Sequence, residues 1–343
     1  MMTDTTDRRT CGIVFIAHDP GGYDVIMPIY RQISGSPGVA PALFLTGPAG
    51  GFDERYKKTE QEALTYLNRL IRNGEDFILV TGTSWNSSIE PEAIRLCRDH
   101  SITTIAILDY WCNYKERFRM GDDYAVPDYY FMMDDLAVRE ATACGMDPSA
   151  MIVVGQPGLD KYVKRRVVSY EAGKSILFLS QPLSAIYGDR LGYDEYSVAE
   201  DILRAGEELG YSVNIKFHPK ETEGMREKYG HLEVEGTLED IAGEFGVVIG
   251  MSTMGLLQCC LMGIPVISYE PNLAVKDVCI INRLGIAGGA FSYAELVQQL
   301  GTPDRAKDIS YPFWCDGRST ERCVDTIMKI CRQPDHRYTK QRG

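Results

Sequence analysis

Residues 214–221 read NIKFHPKE. A strand needs none of histidine, proline and lysine to end, whereas a site that holds a negatively charged group there could use all three. A lone histidine is usually structural, but less often so between a strand and a turn and followed by Pro-Lys. The imidazole of His218 titrates near neutrality, so it can hydrogen-bond a phosphate or protonate it as a leaving group departs. Pro219 fixes φ and stops the strand, and Lys220 adds a compact positive charge suited to phosphate. A second segment, GVVIGMSTMGLLQCCLMGIPVISYE (246–270), places Ser252, Thr253 and Gly255 at the entry to a helix. Small residues there admit a phosphate, which backbone N–H groups and two hydroxyls can bind. Plain N-capping explains one of those hydroxyls well and the pair less well. Both segments lie at strand carboxyl ends in the same half of the chain and together describe one anion pocket.

Two further segments carry chemistry in the other half. In AHDPGGYD (17–24), Gly21 and Gly22 let the chain turn tightly into a helix whose N-terminus favours an anion, with His18 and Asp19 just before them. Asp19 is placed to act as a general base or as the N-cap of that helix, and the motif supports both equally. In LDYWCNYKERF (108–118), aromatic and amide side chains offer the flat faces and polar tips that bind sugars or bases. Asp109 and Asn113 are the functional candidates there, while Trp111 and Phe118 read as packing.

These residues need a scaffold that brings strand ends together. Short apolar runs (GIVFIAH, APALFLT, DFILVTG, ITTIAILD, DYYFMM, MIVVGQP) alternate with amphipathic segments such as EQEALTYLNRLIR, whose Leu64, Leu67, Leu70 and Ile71 share a face. That alternation predicts parallel sheets with helices on both faces. It breaks into polar sequence at 165–174 and restarts with SILFLSQP, then SVAEDILRAGEELG, YSVNIKFHP, TLEDIAGEF, GVVIG, MGLLQCCLMG and IPVISYE. A long irregular stretch precedes the last helix, STERCVDTIMKICRQ. The expected fold class is therefore α/β with two Rossmann-like parallel-sheet domains, 1–165 and 174–318, followed by a C-terminal helical segment, 319–343. The apolar face of that segment (Cys323, Ile327, Ile330) suits packing back onto the first domain. Ligands of such sheets bind beyond the carboxyl ends of the strands.

Composition narrows the function. At 343 residues the chain exceeds a comfortable single core. A net charge of -12 argues against a nucleic-acid surface, and the one dense basic run, KYVKRR (161–166), reads as a solvated helix end. No apolar run reaches the about 20 residues of a membrane helix, and any membrane contact would be peripheral and weak. The start, MMTDTTDRRT, lacks the apolar core of a signal peptide, so a cytoplasmic protein is expected. The ten cysteines have no CxxC pairs and the five histidines are dispersed. Free thiols are expected, and neither a metal nor a cofactor.

With these motifs assembled, the chain resembles glycosyltransferases of the GT-B fold, most of all bacterial sialyltransferases and polysialyltransferases that use CMP-activated sugars. Their HP motif and Ser-Ser/Thr motif, which hold CMP, are matched by His218-Pro219 and Ser252-Thr253. ILFLSQPLS (176–184), with Gln181, is similar to the strand and loop that open the nucleotide domain of such enzymes. VVGQPGLDKY (153–162) is similar to segments of UDP-N-acetylglucosamine 2-epimerases and CDP-glycerol glycerophosphotransferases, which share the outline. Where many GT-B enzymes carry a ribose-binding glutamate, this chain has Gln258, with Glu270 at the end of the next strand as a substitute.

The resemblance implies a nucleotide-sugar donor bound by Gln181, His218, Pro219, Lys220, Ser252, Thr253, Gly255, Gln258 and Glu270. It implies a hydroxyl acceptor against the first half, near His18, Gly21, Gly22, Asp109 and Asn113, with a cleft between the halves. Asp19 would take the acceptor proton and His218 would serve the departing phosphate, in an inverting, metal-independent displacement. Two alternatives stand beside it: an epimerase or hydrolase acting on the nucleotide sugar itself, and a binding protein of the same shape without turnover.

Overall fold

The computed structural model describes residues 11–36, 39–84, 87–165, 173–302 and 316–332. The polar break expected at 165–174 falls largely outside these, as do the N-terminal ten residues. The chain divides into two compact units: one through Asp160 plus the C-terminal helix, the other from Lys161 onward.

The first unit runs β1 (Cys11–Ala17), α1 (Pro20–Ser34), β2 (Val39–Leu45), α2 (Glu60–Arg72), β3 (Phe77–Thr81), α3 (Ile89–Asp99), β4 (Thr104–Ile107), the hairpin β5 (Arg119–Met120) and β6 (Asp123–Tyr124), β7 (Tyr129–Met132), α4 (Asp135–Ala143) and β8 (Met151–Val153). Its sheet is parallel, in the order β2-β1-β3-β4-β7-β8. Strands β3 and β4 are buried along their whole length, as covered parallel strands are, and so read as unbroken apolar runs. Helix α2 starts on a capping box, with Thr59 Oγ1 accepting from Glu62 N and Glu62 Oε2 accepting from Thr59 N.

A short helix, α5 (Asp160–Lys164), leads into the second unit: β9 (Ser175–Leu179), α6 (Leu183–Tyr187), α7 (Glu195–Leu209), β10 (Ser212–Lys216), α8 (Glu223–Tyr229), α9 (Leu238–Ile241), β11 (Val247–Gly250), α10 (Met254–Leu261), β12 (Val266–Tyr269), α11 (Ile280–Arg283), β13 (Gly289–Ala290) and α12 (Tyr293–Gly301). This sheet is also parallel, in the order β10-β9-β11-β12-β13. Its core gathers Ile176, Phe178, Val198, Ile202, Ile215, Val247, Ile249, Ile267, Leu296 and Leu300. Two residues of the basic run after Asp160 are paired as well as solvated. Lys161 Nζ lies 2.9 Å from Glu239 Oε1, and Arg165 Nη1 lies 3.0 Å from Asp240 Oδ1.

Residues 271–302 are more ordered than the sequence suggests. Strand β13 extends the sheet through Ser268↔Gly289 and Tyr269↔Ala290. Helix α12 buries Leu296 and Leu300, and Ser292 caps it by accepting from Glu295 N. A two-residue edge strand that begins on glycine has no apolar run to announce it, and polar residues dilute the apolar face of α12.

The chain then returns to the first unit as α13 (Ser319–Cys331). Cys323, Val324, Ile327 and Ile330 join the core of β1, α1 and β3. Asp160 caps this helix across the sequence, accepting from Ser319 N at 3.0 Å and Thr320 N at 2.7 Å. Gly155, at φ 90°, makes the approach possible: a Cβ there would stand 2.3 Å from Ser319 Oγ. Among the described residues no helix is long and apolar enough to cross a membrane. Cys97, Cys259, Cys260, Cys279 and Cys323 are buried thiols.

Candidate functional site

In the second unit the register sets Leu179, Lys216 and Gly250 level across three neighbouring strands, with Ser268 beside Gly250. The segments that follow them, at Gln181, His218–Lys220, Ser252–Thr253 and Glu270, therefore emerge along one edge of the sheet. Side chains knit them together. Ser180 N donates to Lys216 O at 3.1 Å, and Ser180 Oγ to Glu221 Oε2 at 2.6 Å. Gln181 Nε2 donates to Ser252 O at 3.4 Å, while its buried Oε1 has no partner among the described residues.

The turn at His218 fixes the state of the ring. Lys220 N donates to His218 Nδ1 at 3.1 Å, so the neutral imidazole carries its proton on Nε2, which is the donor left for a ligand. Partial desolvation of the ring, opposed by Glu221 and assisted by Lys220, lowers the affinity of His218 for a second proton even though the residue as a whole reaches solvent. At neutral pH it is a neutral hydrogen-bond donor, and an arriving phosphate dianion would raise its proton affinity again. His218, Pro219 and Lys220 are all exposed.

Thr253 caps α10, its Oγ1 accepting from Gly255 N at 3.2 Å. Ser252 is half-buried and its hydroxyl makes no hydrogen bond among the described residues. Capping therefore accounts for one hydroxyl and leaves the other available. Gly255 has a packing reason to be glycine, since a Cβ would come within 2.7 Å of Leu179 Cδ1. Gln258 is half-buried on α10. Glu270 is almost fully buried, with Oε1 accepting from Tyr193 OH at 3.1 Å and Oε2 unpartnered among the described residues. Burial, then Asp277, pushes it up to about 7.

In the first unit, Ile16, Thr81 and Ala106 are level, and Ile107 pairs with Phe131. His18, Asp19 and Asp109 follow these strand ends. Asp19 is the N-cap of α1, its Oδ1 accepting from Gly22 N at 2.7 Å. Burial, then Asp109, raises its proton affinity, while the Gly22 bond, Arg117 and His18 oppose this. Asp109 Oδ1 accepts from Arg117 Nη1 at 2.6 Å and from Thr83 Oγ1 at 3.2 Å. Arg117 also donates to Thr83 O, and through Nε to Cys112 O at 3.1 Å. His18 Nε2 lies 3.4 Å from Glu60 Oε1. The glycine pair is a matter of space: a Cβ on Gly21 would sit 1.8 Å from Asp109 Oδ2. The N-terminus of α1 is thus occupied by the protein's own carboxylates.

Asn113 stands in the left-handed region, φ 58°, which asparagine tolerates better than most residues, and its carbonyl accepts from Arg117 N. It shapes the loop that delivers Arg117. Trp111 and Phe118 are buried; the indole N–H donates to Asp134 at 2.8 Å and Phe118 meets Tyr130 edge-on. The residues missed from sequence are Arg117, Glu90 and Thr83 in this unit and Glu221 in the other. Glu90, in the first turn of α3, looks like an ordinary helix-start acid, yet it is 1% exposed. Ser84 N (2.8 Å), Ser84 Oγ and His18 N (3.3 Å) all donate to it. Burial, then Asp19, pushes it to about 8. A groove of about 390 Å³ along α2, lined by Phe44, Thr59, Tyr66 and Arg69, holds none of the candidates.

Glu90 and Glu270 both bind protons more tightly folded than unfolded, where a glutamate titrates near its ordinary ~4.3. Each favours folding below that range and loses the contribution as pH rises to about 8 and about 7 respectively. Urea unfolding between pH 5 and 8.5 is expected to show stability falling with pH. Glu90→Gln and Glu270→Gln should each flatten part of that slope.

No family model and no curated protein sequence matches the chain. Solved structures do. UDP-GlcNAc 2-epimerase of Methanocaldococcus jannaschii, solved with UDP-GlcNAc and UDP, is similar at TM-score 0.64 and 13% identity over 93% of this chain and 99% of that one. MurG of Acinetobacter baumannii gives TM-score 0.55 and 12% identity, over 93% and 99%. The wall teichoic acid polymerase TagF, as its H444N variant soaked with CDPG, gives TM-score 0.56 and 13% identity, over 96% and 90%. The fold is GT-B. At these identities the likeness speaks for architecture, and the chemistry rests on the residues above.

Proposed function

We propose that this protein is a glycosyltransferase that moves a sugar from a nucleotide-activated donor to a hydroxyl acceptor. The second unit would hold the nucleotide phosphate through His218 Nε2–H, Lys220, the Ser252 hydroxyl and the N-terminus of α10. The first unit would supply Asp19 as general base. The acceptor oxygen attacks the anomeric carbon and gives its proton to Asp19. The bond from that carbon to the phosphate oxygen breaks, and the nucleotide leaves with its charge met by the hydrogen-bond donors. One observation carries the reading: the His218 turn and the Ser252 turn flank β9 and are joined through Ser180 and Gln181, with one ring N–H and one hydroxyl unspent.

A CMP-sugar is the donor we favour, on the HP and Ser-Thr motifs. The second reading, an epimerase of the nucleotide sugar, is favoured by the M. jannaschii neighbour and its bound UDP-GlcNAc. The two separate on one requirement: a transferase needs an acceptor to release nucleotide efficiently, and an epimerase does not.

The test is thermal unfolding with CMP, CDP, UMP, UDP and GDP, on wild type and His218→Ala. Ligand at a hundredfold over Kd stabilises by about 2.7 kcal/mol, a rise of roughly 5–10 °C for a unit of this size. A shift with the cytidine nucleotides, lost in the variant, is the expected result. A shift with UDP alone would transfer the reading to a UDP-sugar enzyme, and no shift with any of them would remove the pocket.

A further inference from the structure

The carboxyl groups of the first unit outnumber its cations at one spot. Asp19, Glu90 and Asp109 interact electrostatically there, and the guanidinium of Arg117 is committed to Asp109 at 2.6 Å. Asp19 and Glu90 converge on Gly22: a Cβ on that residue would stand 3.2 Å from Asp19 Oδ1 and 3.7 Å from Glu90 Oε1. Glu90 also lies 3.2 Å from the corresponding point on Gly82. Its carboxyl thus fills the space beneath both the β1–α1 turn and the β3–α3 loop. Two backbone N–H groups hold it there, His18 N from the first segment and Ser84 N from the second, and the Ser84 hydroxyl against its Oε2 can donate to it or accept its proton.

We propose that Glu90 is the positioning residue of this site: buried beneath the β1–α1 turn and tied to the β3–α3 loop, it fixes the turn on which Asp19 stands and is electrostatically coupled to Asp19. The proposal rests on the reading of Asp19 as the base. Two neighbouring carboxyls shielded from water and without a cation of their own do not readily both ionise, and the more deeply buried one keeps the proton. Asp19 is half-buried and Glu90 fully buried, which assigns the roles. The groups facing the pair are His18 and Asp19 from the β1–α1 turn, Asp109 from the loop after β4 and Arg117 beyond it. Glu60 at the start of α2 acts through His18. Of these, only Arg117 is a permanent cation. Burial and the Asp19 charge push Glu90 to about 8, consistent with a proton retained at neutral pH.

Coupling of this kind has a signature that a purely structural glutamate would not produce. A pair that interacts strongly titrates in macroscopic steps, and each member reports both. With aspartate carboxyl carbons labelled by ¹³C and the Asp19 resonance assigned by its loss in Asp19→Asn, the Asp19 signal is expected to move twice. The first step is its own ionisation, and the second, near pH 8, is that of Glu90. In Glu90→Gln the second step disappears while Asp19 keeps its first. Hydrogen exchange at the Ser84 amide, whose acceptor is Glu90 Oε2, should change less than about threefold in Glu90→Gln, where the amide oxygen takes that place. In Glu90→Ala, with the acceptor gone, it should accelerate at least tenfold. A single step in wild type, or a second step that survives Glu90→Gln, would overturn the proposal. If Glu90→Ala does not fold, the glutamine variant decides alone. None of these measurements uses nucleotide or acceptor, so failure here leaves the transferase reading in place, and failure of the nucleotide panel leaves the coupled pair in place.

Discussion

Replacing Arg117 with methionine is expected to lower the stability of the first unit by about 3–5 kcal/mol, the range for stripping one partner from a buried ion pair. The side chain is 6% exposed and satisfies Asp109, Thr83 O, Thr83 Oγ1 and Cys112 O together. Methionine fills the volume, so the loss comes from stranded acceptors and uncompensated charge rather than from a cavity. The deficit should depend on pH in a defined direction. Arg117 opposes the rise in Asp19's proton affinity, so its removal raises that affinity further. A carboxyl whose folded-state affinity is raised costs stability as pH increases, hence the variant should fall further behind wild type at pH 8 than at pH 5. Urea unfolding at both pH values measures this. Arg117→Met combined with Asp109→Asn should recover part of the loss, because the second change removes the charge that the first one stranded. A single variant as stable as wild type at both pH values would mean that the Arg117–Asp109 pair does not organise this site.

Much of the architecture was legible because it depends on local patterns. Apolar runs such as FILVT and TIAI become fully buried parallel strands, and the Thr59–Glu62 capping box starts α2 where a Thr-x-x-Glu reading would place it. The motifs at His218 and Ser252 were legible for a related reason: strand ends are short-range signals, and a parallel sheet lines them up whatever the connections are. What stayed hidden was set by distant contacts. Arg117 sits in NYKERFRM, a sequence as charged as any surface loop. Its burial follows from Asp109 and Thr83, which lie 8 and 34 positions away. Glu90 has the position and type of an ordinary helix-start acid, and only its bonds to His18 and Ser84 reveal otherwise. Strand β13 exists because β12 offers it an edge, which no reading of two residues could supply.

Asp19→Asn should separate the two roles that the sequence left equally open. Asparagine is as good an N-cap as aspartate, so the bond to Gly22 N and the start of α1 should survive, with stability changed by at most a few tenths of a kcal/mol. It cannot accept a proton from a hydroxyl, so turnover should fall by about 10²–10⁴-fold, the usual contribution of a positioned general base. Asp19→Ala loses the cap as well, at about 1 kcal/mol, with the same loss of turnover. If the side chain only capped the helix, the order would differ: asparagine would be active and alanine merely less stable. The assay is nucleotide release in the presence of acceptor, using the donor that the nucleotide panel selects. Its pH dependence adds a check on the environment. Burial and Asp109 raise the proton affinity of Asp19, so the acid limb of the wild-type profile should lie above the ordinary aspartate range of about 3.9. Activity should be lost as pH falls through that raised value, because the protonated form cannot act as base. An asparagine variant that turns over within about threefold of wild type would reduce Asp19 to a cap and remove the base from the proposed displacement.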